Sequence, residues 1–393
     1  MDRLPSEILL AIATNLDDSW DINALAQANR RFFNTLNNHL YRHDALFEGM
    51  NALCWAARCG VVATARFSIN ASRGIDDDDD CEPLFNLNYA LYEAVVERNI
   101  DVISCIIKVE GADPNIRSDF RPLPAMCIAA REGYTEIVKV LLLAKDTLPN
   151  PKDPCMPSPL SLAAYRGFVD IVELLLDVTG IDADCRDSNN RTPLFYAVLS
   201  DSPSPELVSC FLRRNDLTID VNVEDRSGDR HTRNAGRTPL IVASQFKSAA
   251  TVNLLLAVPG IDVNHSDQSG KTALHFAAEL GREDIVRALL QHHADPDPKD
   301  NENETPLFLA AKNGSVPVVK MLQEAGADPN HICDNRAHAL GAARTEGHGE
   351  VAQVLRDFGR LDLNSLGPVP RNWNASRGKM WSERAQKNSD DLR

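Results

Sequence analysis

Apolar positions along this chain fall in short clusters at helical spacing, interrupted by polar stretches rich in Gly, Asp and Asn. In one such cluster Ile171, Val172, Leu174 and Leu175 form an apolar stripe, preceded by the adjacent small residues Ala163 and Ala164. Spacings of three and four predict helices that bury one face only. The small pairs recur at Ala277-Ala278 and Ala310-Ala311, and they predict a helix that approaches its neighbour closely. Each pair of helices is too small to bury its own stripe, so the pattern predicts stacking of many similar pairs into a common core.

The repetition extends to the wording. RTPLIV at 237–242 returns as RTPLFY from 191, KTALHF from 271 and ETPLFL from 304. With each string anchored on the residue after its Pro-equivalent, the anchors are Leu53, Leu91, Met126, Leu160, Leu194, Leu240, Leu274, Leu307 and Leu340. Successive steps are 38, 35, 34, 34, 46, 34, 33 and 33 residues. Thr238 can cap a helix whose first position is Pro239, where a missing N–H costs nothing. Seven residues past the anchor stands a Gly, as at Gly133, Gly167, Gly281, Gly314 and Gly347, which predicts a left-handed helix end. Unit two has Arg98 in that place, and the last unit has His338-Ala339 where Thr-Pro should stand. Units close on Gly-Ile-Asp-x-Asn or Gly-Ala-Asp-Pro-Asn, followed by a polar tip such as Ser269-Gly270 that suits a hairpin-like turn.

The step of 46 marks unit five. About four extra residues fall between its helices, around Ser202 to Pro205, and about eight fall at the following tip, within Asp225 to Gly236. Insertions in repeat proteins map to one face, often the binding face, although loops also accept insertions cheaply. Both readings stand at this point. The tip insertion carries Arg226, Arg230, His231 and Arg233 on an acidic chain, so an acidic partner segment is a candidate ligand for it. Ser202 and Ser204, each followed by Pro, are candidate phosphorylation sites.

The first 45 residues lack the repeat. Residues 3–43 predict three short helices: one from Pro5 with Ile8, Leu9, Leu10, Ile12 and Leu16, a second capped by Asp21, and a third with Phe32, Phe33, Leu36 and Leu40. The first is apolar over more than one stripe and needs burial on two sides, which so short a segment cannot supply alone.

Composition narrows the function. A net charge of −15 and a pI near 5.1 argue against a broad phosphate-binding surface and so against nucleic acid. Nine unpaired-looking cysteines suit a reducing compartment, which points to the cytoplasm or nucleus. The apolar run from Ile8 to Ala13 follows Asp2 and Glu7 and lacks a cleavage site, so a signal peptide is not expected, and neither is a membrane span. Catalytic chemistry is not expected, because His275 and the His292-His293 pair sit in repeat positions with structural uses. Cys54 and Cys59 have no answering ligands, the Asp76 to Asp80 run lacks the spacing of a calcium loop, and no phosphate loop or nucleophile elbow occurs. Cofactors, metals and small-molecule ligands are therefore not expected. An enzyme hidden in the array would need titratable groups clustered at hydrogen-bond distance.

From about residue 50 to 364 these units resemble the ankyrin-repeat family, whose period and T-P-L-H-type wording they share across about nine units. Residues 3–43 resemble an F-box through Leu4-Pro5-x-Glu7-Ile8-Leu9, Ile12, Leu16, Asp21, Leu25, Asn29-Arg30 and Leu40-Tyr41-Arg42, over about a tenth of the chain. The arrangement is similar to the F-box ankyrin proteins of filamentous fungi. These resemblances imply an all-α protein with a three-helix F-box at 1–45, an ankyrin solenoid at 48–364 and a disordered, mildly basic tail at 365–393 that holds Trp373 and Trp381.

They also imply a substrate receptor of an SCF-type ubiquitin ligase, monomeric outside the complex. Leu4, Pro5, Ile8, Leu9, Ile12 and Leu16 would dock a Skp-type adaptor, which recruits a cullin–RING ligase, and the repeats would hold a client protein. The alternative is a non-enzymatic scaffold whose N-terminal helices only cap the solenoid. Client contacts are expected at the variable tips: Asp187, Asn189 and Asn190; Arg226, Arg230, His231 and Arg233; Asp267 and Gln268; Lys299 and Asn301.

Overall fold

The computed structural model describes residues 51–72, 83–115, 123–144, 149–150, 156–200, 204–214, 217–226, 235–245, 248–334 and 336–358. The F-box-like segment, the core of the tip insertion and the C-terminal tail lie outside them. Among the described residues the secondary structure is helical, in nine antiparallel pairs and without a named strand. The first compact unit, ending at Val223, holds α1 (Asn51–Cys59), α2 (Val62–Ser72), α3 (Pro83–Val96), α4 (Ile100–Ile106), α5 (Ala125–Glu132), α6 (Thr135–Leu141), α7 (Pro159–Arg166), α8 (Val169–Leu176), α9 (Pro193–Leu199) and α10 (Pro205–Leu212). The second, from Glu224, holds α11 (Pro239–Gln245), α12 (Ala249–Leu256), α13 (Ala273–Glu279), α14 (Glu283–Gln291), α15 (Pro306–Asn313), α16 (Val316–Glu324), α17 (Ala339–Thr345) and α18 (Gly349–Phe358).

Within each unit odd-numbered helices pack on odd and even on even, forming two parallel rows. Small residues make the first row possible: Ala163, Ala164, Ala277, Ala278, Ala310 and Ala311 are all fully buried. The second row buries i, i+1, i+4 and i+5, as with Ile171, Val172, Leu175 and Leu176 on α8, while Leu174 is only half-buried. Phe195, Phe211 and Phe308 fill the largest gaps. At about 1.5–3 kcal/mol for each large buried side chain, inter-pair contacts carry the stability that no single pair could.

The helix ends follow the wording of the repeat. Thr192 and Thr305 accept hydrogen bonds from the amides of Phe195 and Phe308, with Pro at the first helical position behind each. Ser158 does the same for Ser161 at 3.0 Å. His338 replaces Thr in the last unit and still caps, its Nδ1 accepting from the Gly341 amide at 3.0 Å. Gly133, Gly167, Gly281, Gly314 and Gly347 all turn left-handed at the expected place. Arg98 adopts the same conformation without being Gly (φ +60°), its guanidinium lying 4.4 Å from the centre of the Tyr134 ring.

The closing Asp-x-Asn segments form a second ladder. In each, the Asp carboxylate accepts from the amide two residues on, as in Asp262 to Asn264 and Asp328 to Asn330. The third residue then accepts from the Asp amide of the next segment: Asn264 from Asp295 at 2.9 Å and Asp297 from Asp328 at 2.8 Å. In the first unit Asp184 accepts from Asp220 at 3.3 Å. Within each compact unit, successive repeats are thereby joined by Asp and Asn side-chain oxygens that accept from the next repeat's backbone amide.

Candidate protein-binding face

Between the closing ladder and the next helix, the chain forms a five-residue tip with one geometry. At 267–271 the amide of Asp267 donates to the carbonyl of Lys271, and the amide of Gly270 donates back to the carbonyl of Asp267. The Asp267 carboxylate accepts from the Ser269 amide (2.9 Å), the Ser269 hydroxyl and the Lys271 amide (3.0 Å). Asp187 at 187–191 and Asp300 at 300–304 repeat this, and Asn190, Gly270, Asn303 and Arg336 all take positive φ at the fourth position. Asp, Asn and Gly are required here because a short carboxylate must cap its own turn and the fourth residue must tolerate a left-handed backbone. Cys333 replaces the Asp in the last tip and keeps only the backbone pair.

In the second unit the tips bond to one another in a row. The Gln268 amide donates to Ala235, the Asn301 amide to Ser269 and the Asp334 amide to Glu302, while Asn301 Nδ2 also donates to the Gln268 carbonyl at 2.8 Å. Histidines brace the row from below: His275 Nε2 donates to the Glu304 carbonyl and His331 Nε2 to that of Asn303. His275 is buried in a reciprocal cap with Thr272, whose amide donates to His275 Nδ1 at 3.0 Å. Burial pushes the His275 pKa down to about 4, which keeps the ring neutral and its Nε2 a donor. Among the described residues no cluster of His, Cys, Asp and Glu could hold a metal ion.

This geometry locates the insertion. Asp225 keeps its exchange with Arg237, and the Gly236 amide donates to Asp225 at 2.7 Å. Ala235 therefore occupies the third position of the tip, Gly236 the fourth and Arg237 the fifth. Residues 226–234 stand where the other tips have a single second residue, so eight residues are added on a closed base. Arg226 is exposed; Arg230, His231 and Arg233 lie outside the described residues.

The fifth tip position is electrostatic. Arg237 lies 3.6 Å from the Asp267 carboxylate, donates to Gln245 at 3.1 Å and stacks 5.0 Å from the centre of the Phe276 ring. Burial lowers its pKa, with Asp267 and Asp225 opposing. Lys271 pairs with Glu279 at 2.9 Å and lies 5.9 Å from the same ring. Arg191 holds this position in the first unit, its guanidinium 5.7 Å from the centre of the Phe195 ring, and the eighth pair has an acid there, Glu304.

The expected contact residues divide accordingly. Gln268 and Asn301 are exposed and bonded to each other in the second unit's row, with Gln268 also held to Ala235 at the base of the insertion; Lys299, one residue before the tip 300–304, is exposed too. Asp267 is only 5% exposed and serves its own turn. Asp187 is half-buried and occupied by the Asn189 and Arg191 amides and by the Tyr196 hydroxyl at 2.6 Å. Asn189 and Asn190 are half-buried on that first-unit tip. Glu302, within the expected tip 299–303, is exposed in the row as well; sequence reading missed Asp334 and Arg336, also exposed there, and alignment on Asp267, Asp300 and Cys333 would have found them.

Stacked helical pairs joined by capped polar tips define a repeat protein of a class that binds other proteins and is generally non-enzymatic. The chain belongs to the ankyrin-repeat family: the description "Ankyrin repeats (3 copies)" matches residues 126–225, 205–300 and 292–366. No F-box match covers the N-terminal segment. Human neurogenic locus notch homolog protein 2 is 30% identical over 214 residues, 53% of this chain and 8% of that protein. The zebrafish (Danio rerio) notch homolog protein 1 is 34% identical over 169 residues, 43% of this chain and 6% of that protein. The chain thus spans less than a tenth of the length of these curated relatives. Among the described residues no helix is long and apolar enough to cross a membrane.

Proposed function

We propose that this ankyrin protein is the client-binding subunit of an SCF-type ubiquitin ligase. The observation that carries the binding half is the tip row with its basic insertion grafted on a closed base. The ligase half rests on the Leu4-Pro5-x-Glu7-Ile8-Leu9 motif and on the two-sided apolar helix that the sequence predicts from Pro5. Such a helix needs a partner surface, and a Skp-type adaptor offers one. Gln268, Lys299, Asn301 and Glu302 supply polar contacts to the client, and Arg226, Arg230, His231 and Arg233 attract an acidic segment of it.

Adaptor docking is tested by co-purifying the full chain with its host's Skp-type adaptor. Wild type is expected to capture the adaptor stoichiometrically, and a folded Leu4→Ala, Ile8→Ala, Leu9→Ala triple variant to lose it. Absence of capture by wild type removes the ligase and leaves a scaffold with a helical cap. The insertion is tested by replacing residues 226–234 with a single Gln, the residue that tip 267–271 has at its second position. Because Asp225, Gly236 and Arg237 close the base, stability is expected to stay within about 0.5–1 kcal/mol. Partners that depend on the basic loop should bind at least about tenfold more weakly, and less so in high salt. Unchanged affinity assigns the insertion to loop drift.

A further inference from the structure

Within the second unit, one seam departs from the charge pattern of the others. Glu304 occupies the tip position held by Arg191, Arg237 and Lys271 elsewhere, and it is 7% exposed. Around it stand Lys271 and the α13 residue His275 from the preceding pair, Asp300 and Glu302 from its own tip, Lys312 from α15, Cys333 from the following tip, and His331, whose Nε2 donates to the Asn303 carbonyl. Most of these groups are already engaged. The Asp300 carboxylate accepts from the amides of Glu302 (2.9 Å) and Glu304 (2.8 Å). Lys271 is held by Glu279 at 2.9 Å, and the carbonyl of Glu304 is bound by His275 at 3.1 Å. A second carboxylate charge here would be answered by Lys312 and Lys271, but Lys271 is already held by Glu279 and Asp300 stands close by with a like charge.

We propose that this seam is a proton-controlled joint in the tip row: neutral Glu304 closes it, and ionised Glu304 loosens the tip that carries Asn301 and Glu302. The group titrates in the right range, since burial foremost, with Asp300 adding and Lys312 and Lys271 opposing, pushes its pKa up to about 7. His275 is held down to about 4 and Cys333 is pushed up to about 12 by burial. A folded pKa raised above its unfolded value gives a contribution that is complete below the unfolded value and is lost as pH rises to the folded one. The tip row is therefore tightest below the ordinary glutamate range, loosens as pH rises from there through about 7, and changes little beyond, whatever partner it holds.

The experiment compares the full wild-type chain with Glu304→Gln by amide hydrogen exchange and thermal unfolding between pH 5.5 and 8. After correction for intrinsic rates, wild-type amides at 301–304 should exchange about tenfold faster at pH 8 than at pH 6, one decade for each 1.4 kcal/mol of lost protection. Glu304→Gln should stay flat, with a Tm advantage over wild type that grows with pH. Glu304→Ala, which puts there the residue Ala337 places at the same position of the next tip, should be equally flat. A wild-type profile as flat as the variants', or variants that keep the rise, overturns the joint.

Discussion

Asp267→Ala should be among the most destabilising single changes in the chain, lowering unfolding free energy by about 3–5 kcal/mol. Asp267 ties the Ser269 amide and hydroxyl and the Lys271 amide into one turn, and each loses a partner. The larger part comes from Arg237, whose side chain is 16% exposed and whose counter-ion is this carboxylate. Without it the buried guanidinium keeps Gln245, the face of Phe276 and the charge of Asp225 but loses the carboxylate that lies 3.6 Å away. Asp267→Asn separates the two causes: it retains an acceptor for the turn amides and removes only the charge, so it should cost the larger part of that loss. Urea unfolding followed by circular dichroism checks both. A loss below about 1 kcal/mol for Asp267→Ala would show that the turn and the guanidinium rearrange freely.

Asp267 also shows where sequence reading reaches and where it stops. A polar tip with Asp, Ser and Gly reads as a turn, and its chemistry reads as surface. Only the fold shows that the carboxylate turns inward while Gln268 beside it faces out. The helical pairs were legible because their signals are local: Thr or Ser with Pro at the start, Gly at the end and small pairs on the packed side. The insertion was legible as an irregular step, and hydrogen bonding at Asp225, Gly236 and Arg237 narrows it to one tip position. Glu304 was illegible, because an acid among Asp300, Glu302 and Asn303 looks like solvated turn until the neighbouring tip is stacked on it. The division between Val223 and Glu224 was equally hidden, since the step of 46 has the same length whether the flanking pairs form one compact unit or two.

Gly270→Ala should cost about 2–4 kcal/mol, for two separable reasons. Its φ is +80°, where a Cβ costs about 1–2 kcal/mol. A Cβ there would also stand 2.8 Å from the Asn301 amide nitrogen and 2.9 Å from the Asp300 Cα, so the next tip's backbone must shift and the Asn301 to Ser269 hydrogen bond with it. Asn190 and Asn303 take the same conformation at the same tip position, so Asn relieves much of the backbone strain but none of the overlap. Gly270→Asn should therefore remain destabilising by about 1–3 kcal/mol, whereas Asn303→Gly should stay within about 1 kcal/mol of wild type, losing one exposed bond to the Ile332 carbonyl. Thermal and urea unfolding of the three variants decides the matter. If Gly270→Asn matched wild type, left-handed strain alone would explain the glycine and the tips would not be packed backbone to backbone. If it stays near Gly270→Ala, the close stacking of tips is what selects glycine there, and it is the same stacking that holds Gln268 and Asn301 side by side.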